Sequence, residues 1–127
     1  MPALTEESML HPQASRILTN AVLRAADKLG VPASALAEVL GVSAASVSRM
    51  KSGDYRLNSQ RKEFELGVLF VRLFRSLDAI VGGEERVARA WLTNQNSALG
   101  GKPADKIRTI TGLIDVIAYL DARRAIV

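Results

Sequence analysis

The sequence predicts an all-α fold, and three observations carry that prediction. Apolar residues recur at helical spacing along most of the chain, from Ile17 to Leu120. Glycine and proline punctuate it at a few breaks: Gly30 with Pro32, Gly41, Gly53, Gly82-Gly83, and Gly100-Gly101 with Pro103. No segment reads as a credible strand, and there is no internal repeat or low-complexity tract.

The elements follow in order. Residues 1–13 are polar and aperiodic, the pattern of a loose, flexible tail. A first helix is expected from about Ser15 to Leu29, with Ile17, Leu18, Ala21, Val22, Ala25 and Leu29 on one face. Gly30 stops it, and Pro32 suits the first turn of the next helix. A helix pair over about 33–40 and 44–51 comes next, with Gly53 and Asn58 marking the loop beyond it. A long helix from about Ser59 to Val81 carries Leu66, Leu69, Phe70, Leu73, Phe74, Leu77 and Ile80, and Phe64, Val68 and Val71 widen its stripe. Such a stripe is expected to be buried by two lobes, and its excess also suits a homodimer. Gly82-Gly83 breaks the chain, a short helix runs from Glu84 to Leu92, and two more cover about 104–109 and 111–124. The organisation is a tail over 1–13, a first domain over 14–58, a connecting and dimerising helix over 59–82, and a small helical C-terminal domain over 83–127.

The bulk numbers narrow the classes. At 127 residues and 48% hydrophobic, the chain has enough apolar mass for one domain or two lobes sharing a core. It has no cysteine, which excludes a disulfide framework, a zinc ribbon and a thiol nucleophile, and suits a reducing, cytoplasmic setting. The N-terminus lacks the apolar run of a signal peptide, and no segment is long and apolar enough for a membrane span, so no membrane partner is expected. Between Ser43 and Lys62, Arg49, Lys51, Arg56, Arg61 and Lys62 face Asp54 alone, an excess equal to the net charge of +4. The positive charge is concentrated where a polyanion would be met.

The stretch from Ala33 to Gly53, ASALAEVLGVSAASVSRMKSG, has the spacing of a helix-turn-helix. Ala37 is small where two helices cross, Gly41 supplies the positive φ of the turn, and Ser43 is placed to accept the amide of Ser46. Leu36, Leu40, Val42, Val47 and Met50 pin the pair to a core. An ordinary helical hairpin shares the glycine but not the whole register. In the second helix, Arg49 is the expected base reader, because its planar fork matches guanine O6 and N7. Ala44 and Ala45 sit at the groove-facing N-terminus, and Ser48 is exposed beside them. Ser43, Ser46, Lys51 and Arg56 are expected on phosphates. One such helix reads few base pairs, so a homodimer on operator DNA is expected.

A second series runs through WLTNQNSALGGKPADKIRTITGLIDVIAYL, from Trp91 to Leu120. Trp91-Leu92, the asparagine-rich turn, Gly101, Pro103, Thr109 and Gly112 closely resemble the C-terminal toxin-binding domain of the Xre/MbcA/ParS antitoxins. That family places an Xre-like helix-turn-helix ahead of this domain, so the resemblance covers about 30–125. It implies an antitoxin of a type II toxin–antitoxin pair, whose RES-type toxin degrades NAD. The C-terminal domain of such proteins covers the toxin's active-site cleft, and the N-terminal domain binds the operon's promoter as an autorepressor. Physically, Trp91 is expected as a core anchor, Pro103 as a helix start, and Gly112 as a point of close helix approach. After Leu120 the chain departs from the family pattern with Asp121-Ala122-Arg123-Arg124-Ala125-Ile126-Val127. Arg123, Arg124, Ala125, Ile126 and Val127 are the expected toxin contact, and a solvated helix end is the plain alternative.

No enzyme signature survives. His11 stands in the polar tail without a nucleophile or acid partner. Gly101-Lys102 fails as a phosphate loop, since Asn96 holds the first-glycine position and Pro103 the hydroxyl position. Glu84, Glu85, Asp105 and Asp115 are scattered, so no metal, cofactor or small-molecule substrate is expected. Two rivals to the antitoxin reading are a stand-alone dimeric transcriptional regulator and an interaction protein that has lost DNA binding.

Overall fold

The computed structural model describes the backbone over residues 6–126 and the side chains over 12–125. The expectations for residues 1–5, for the His11 and Ile126 side chains and for Val127 therefore lie outside the described residues. The order is α1 (Glu6–Leu29), α2 (Ala33–Leu40), α3 (Ala44–Ser52), α4 (Lys62–Ile80), α5 (Glu85–Thr93), α6 (Pro103–Lys106) and α7 (Ile110–Ile126). Among the described residues no strand forms, and Asn96 and Gly101 make an isolated antiparallel bridge.

The central helix α4 organises the rest. It packs against α1 and α2 on the N-terminal side and against α7 on the other. Phe70, Leu73 and Leu77 of α4 are fully or almost fully buried and join Val22, Leu36, Leu40, Val47 and Leu57 to Leu92, Leu113, Val116 and Leu120 in one continuous core. Each such side chain contributes about 1.5–3 kcal/mol by leaving water. The two-lobed burial expected of the long apolar stripe is what the structure has.

Several boundaries differ from the sequence reading, each for a physical reason. Helix α1 begins at Glu6 rather than near Ser15, so helix replaces the expected tail over 6–13 and runs through Pro12. A proline within a helix lacks one backbone N–H and forfeits one hydrogen bond, but does not necessarily end the helix. Ile17 does not share the buried face; it is 61% exposed, and Val68 on α4 is 46% exposed. Helix α4 starts at Lys62 rather than Ser59 because residues 58–61 form their own turn. There the Asn58 carboxamide oxygen accepts the Gln60 amide at 2.8 Å, and the Arg61 amide donates to the Asn58 carbonyl at 3.0 Å. Helix α6 is a single turn, ending at Lys106.

The two lobes are also tied by polar contacts. The Arg89 guanidinium of α5 donates to the carbonyls of Asp27 at 2.8 Å and Lys28 at 3.0 Å, where α1 leaves its last carbonyls without helical partners. Arg108 pairs with Glu38 of α2 at 3.4 Å. Arg89 and Arg108 thus anchor the C-terminal lobe to the end of α1 and to α2.

Candidate nucleic-acid interface and C-terminal lobe

The turn between α2 and α3 is built by local sterics. Gly41 has φ of 70°, a left-handed conformation that a side chain would strain. The turn closes through the Val42 amide, which donates to the Ala37 carbonyl at 3.0 Å. Ser43 then caps α3 as its sequence position predicts, its Oγ accepting the Ser46 amide at 3.0 Å. The Ser43 hydroxyl in turn donates to the Ser46 hydroxyl at 3.0 Å, so both side chains are engaged at the head of the helix. Leu36, Ala37, Leu40, Val47 and Met50 are buried, while Val42 is half-buried.

That burial fixes what faces outward. Ala44, Ala45, Ser48, Arg49 and Lys51 are exposed on α3, and Ser46 is half-buried. Arg56 is exposed in the loop that follows. The structure therefore brings all eight residues expected at DNA to α3, its cap and the adjoining loop. Of the other two cations in the basic stretch, Lys62 is ion-paired with Glu65 at 3.3 Å, and Arg61 is exposed.

The loop carrying Arg56 is held from both sides. The buried Thr19 of α1 donates to the Ser15 carbonyl at 2.6 Å and accepts the Leu57 amide at 2.9 Å. The Glu63 carboxylate, itself buried, accepts from the Tyr55 hydroxyl at 2.6 Å and from the Asn58 amide at 2.9 Å. Burial raises the Tyr55 phenol above its ordinary range, and Glu63 raises it further through the hydrogen bond and its negative charge. Arg56 thus projects from between two anchored neighbours.

The structure adds residues that the sequence reading missed. Arg16 and Asn20 of α1 line one recess with Met50, Gly53, Tyr55 and Arg56. They lie four apart on the polar face of α1, a spacing that places them together but does not reveal what they face.

In the C-terminal lobe, the motif residues occupy structural posts. Leu92 is buried and Pro103 is buried at the first turn of α6. Gly101 exchanges both backbone hydrogen bonds with Asn96, at 3.1 and 3.2 Å, closing the loop between α5 and α6. The Thr109 hydroxyl accepts the Gly112 amide at 3.1 Å and heads α7. A Cβ on Gly112 would lie 1.9 Å from the Lys106 carbonyl oxygen, so α7 starts in direct backbone contact with α6. Trp91 corrects its expectation as a core anchor. It is half-buried, packs against the edge of the core and stacks on Tyr119 of α7 with ring centroids 6.1 Å apart.

Arg123, Arg124 and Ala125 are exposed, but the two arginines are drawn back onto the fold. Arg123 lies over the Tyr119 ring at 5.7 Å, and Arg124 donates to the Ser76 hydroxyl at 3.3 Å. Ala125 is exposed beside them. Among the described residues no cluster of histidine and carboxylate side chains has the arrangement of a metal site. No helix among them is long and apolar enough to cross a membrane.

Comparison with known families agrees with this division. Residues 8–72 match the antitoxin Xre-like helix-turn-helix domain, and residues 76–125 match the antitoxin Xre/MbcA/ParS C-terminal toxin-binding domain. No curated protein matches the chain.

Proposed function

Because the chain belongs to the Xre/MbcA/ParS antitoxin family, with an Xre-like helix-turn-helix and a toxin-binding domain, we propose that it neutralises a RES-type, NAD-degrading toxin and represses its own operon. The observation that carries this reading is the joining of both domains on one core helix. Helix α4 supplies the end of one match and the start of the other, at residues 72 and 76. One chain therefore presents a DNA-reading surface and a toxin-reading surface in fixed relation.

On DNA, α3 enters the major groove with its N-terminus leading. Arg49 reads a guanine, Ala44 and Ala45 meet thymine methyls, and Ser48 lies beside them. Ser43, Ser46, Lys51 and Arg56 position the protein on phosphates. Two chains act together as a homodimer, each reading a half-site about one DNA turn apart. At the toxin, the C-terminal lobe acts by steric occlusion rather than chemistry. Its terminal residues Arg123, Arg124, Ala125, Ile126 and Val127 lie at or near the cleft, where Arg123 suits the phosphates of NAD. On this reading the protein acts in the cytoplasm, beside its toxin and its operator.

Co-expression of the chain with the adjacent reading frame, followed by purification, tests the reading. The expected result is a stable complex with a small toxin partner that retards a promoter fragment. Purification of the chain alone, with promoter binding intact, would favour a stand-alone regulator.

A further inference from the structure

An open groove of about 920 Å³ runs between α1, α4 and α7, and no residue of α3 or its loop lines it. Its floor is apolar, formed by Ile17 and Leu18 of α1 and Val68 and Val71 of α4. Ile17 and Val68 are the exposed large hydrophobic residues of these two helices among the described residues, and both lie in this groove. From Phe64 to Arg75 the α4 wall is about 17 Å long, at roughly 1.5 Å per residue, which matches three turns of a docked helix.

The rim is basic. Asp121 pairs with Arg72 and accepts the Ser76 hydroxyl through its other oxygen, so its charge is already committed. Arg124 is held by the neutral Ser76 hydroxyl, and Arg75 has no hydrogen-bond or ion-pair partner among the described residues. Two positive charges therefore stand over an apolar floor. A second copy docked here about a two-fold axis would bring the same arginines toward one another. An acidic partner gains where that copy loses. Ser76, Asp121, Arg124 and Ala125 all fall within the toxin-binding match, so the groove is continuous with the lobe assigned to the toxin.

We propose that this groove seats an amphipathic helix of the toxin, with its apolar face on Ile17 and Val68 and its carboxylates on Arg75 and Arg124. The proposal rests on the antitoxin reading and goes beyond it by extending the toxin contact onto α1 and α4 of the DNA-binding lobe. Docking in this mode joins buried apolar anchors to a charge-matched rim.

The test titrates the full chain against the toxin encoded by the adjacent reading frame. Val68→Asp and Arg75→Glu each weaken binding by about tenfold or more, the scale of an interface anchor, while Arg75→Lys retains it. Circular dichroism and promoter binding stay at wild-type levels, which separates lost docking from lost folding. Toxin binding slows amide exchange over residues 14–21 and 64–75. Wild-type binding with both variants within about twofold of it overturns the groove assignment and spares the antitoxin reading. A Val68→Asp chain that turns monomeric with unchanged toxin affinity overturns it too, and assigns the groove to a second copy. Failure of the wild-type chain to bind the toxin overturns the antitoxin reading and the groove assignment together.

Discussion

The Thr19 hydroxyl accepts the Leu57 amide hydrogen at 2.9 Å, with both residues buried, and so ties α1 to the loop beyond the recognition helix. Because Leu57 follows Arg56, this bond sets the position of a cation expected on a phosphate. Thr19→Val keeps the shape and removes the acceptor, leaving a buried N–H unsatisfied. The expected cost is about 1–3 kcal/mol of stability. Chemical denaturation measures it, and promoter binding at a temperature where the variant stays folded should weaken as the loop loosens.

Gly112 offers a prediction of opposite sign to helix propensity. In an ordinary helix, Gly→Ala stabilises by about 0.5–1 kcal/mol. Here a Cβ would lie 1.9 Å from the Lys106 backbone oxygen, so Gly112→Ala must displace α6 or the start of α7. The expected outcome is a loss of about 1–3 kcal/mol, the size typical of overpacking, read as a lower Tm.

Arg49 and Arg56 should fail differently. Arg49→Ala is expected to lose discrimination at one base pair per half-site, worth about 1–3 kcal/mol. Arg56→Ala should weaken all sequences alike and lower the salt slope of binding by about one. Operator titrations with single-base variants at several salt concentrations separate the two.

The Tyr55 phenol gives a pH dependence of stability. Its folded pKa is raised above that of an ordinary tyrosine, by burial first and then by Glu63. The proton is thus held more tightly in the folded state, so stability is intact below the unfolded pKa and declines as pH rises from there through the folded pKa. Tyr55→Phe removes this alkaline component. The wild-type minus variant difference in stability should shrink above about pH 10, as followed by denaturation at stepped pH.

What was legible in the sequence is what short-range sterics determine. The Ser43 cap, the Gly41 turn, the outward set on α3 and the close approach at Gly112 all depend on neighbours within a few positions. The Thr19–Leu57 bond and the Arg89 contacts with the carbonyls of α1 join residues far apart in the chain, and no local pattern marks them. Ile17 shows the same limit. Helical spacing puts it near the buried stripe, but the opening between α1, α4 and α7 leaves it exposed. The motif position of Trp91 points to a core anchor, whereas its stacking on Tyr119 depends on where α7 lies.

The most direct measurement follows NAD consumption by the toxin of the adjacent reading frame while the purified chain is titrated in. Consumption is expected to fall to background at a fixed molar ratio of chain to toxin. NAD loss unchanged by an excess of folded, promoter-binding chain would contradict the antitoxin reading.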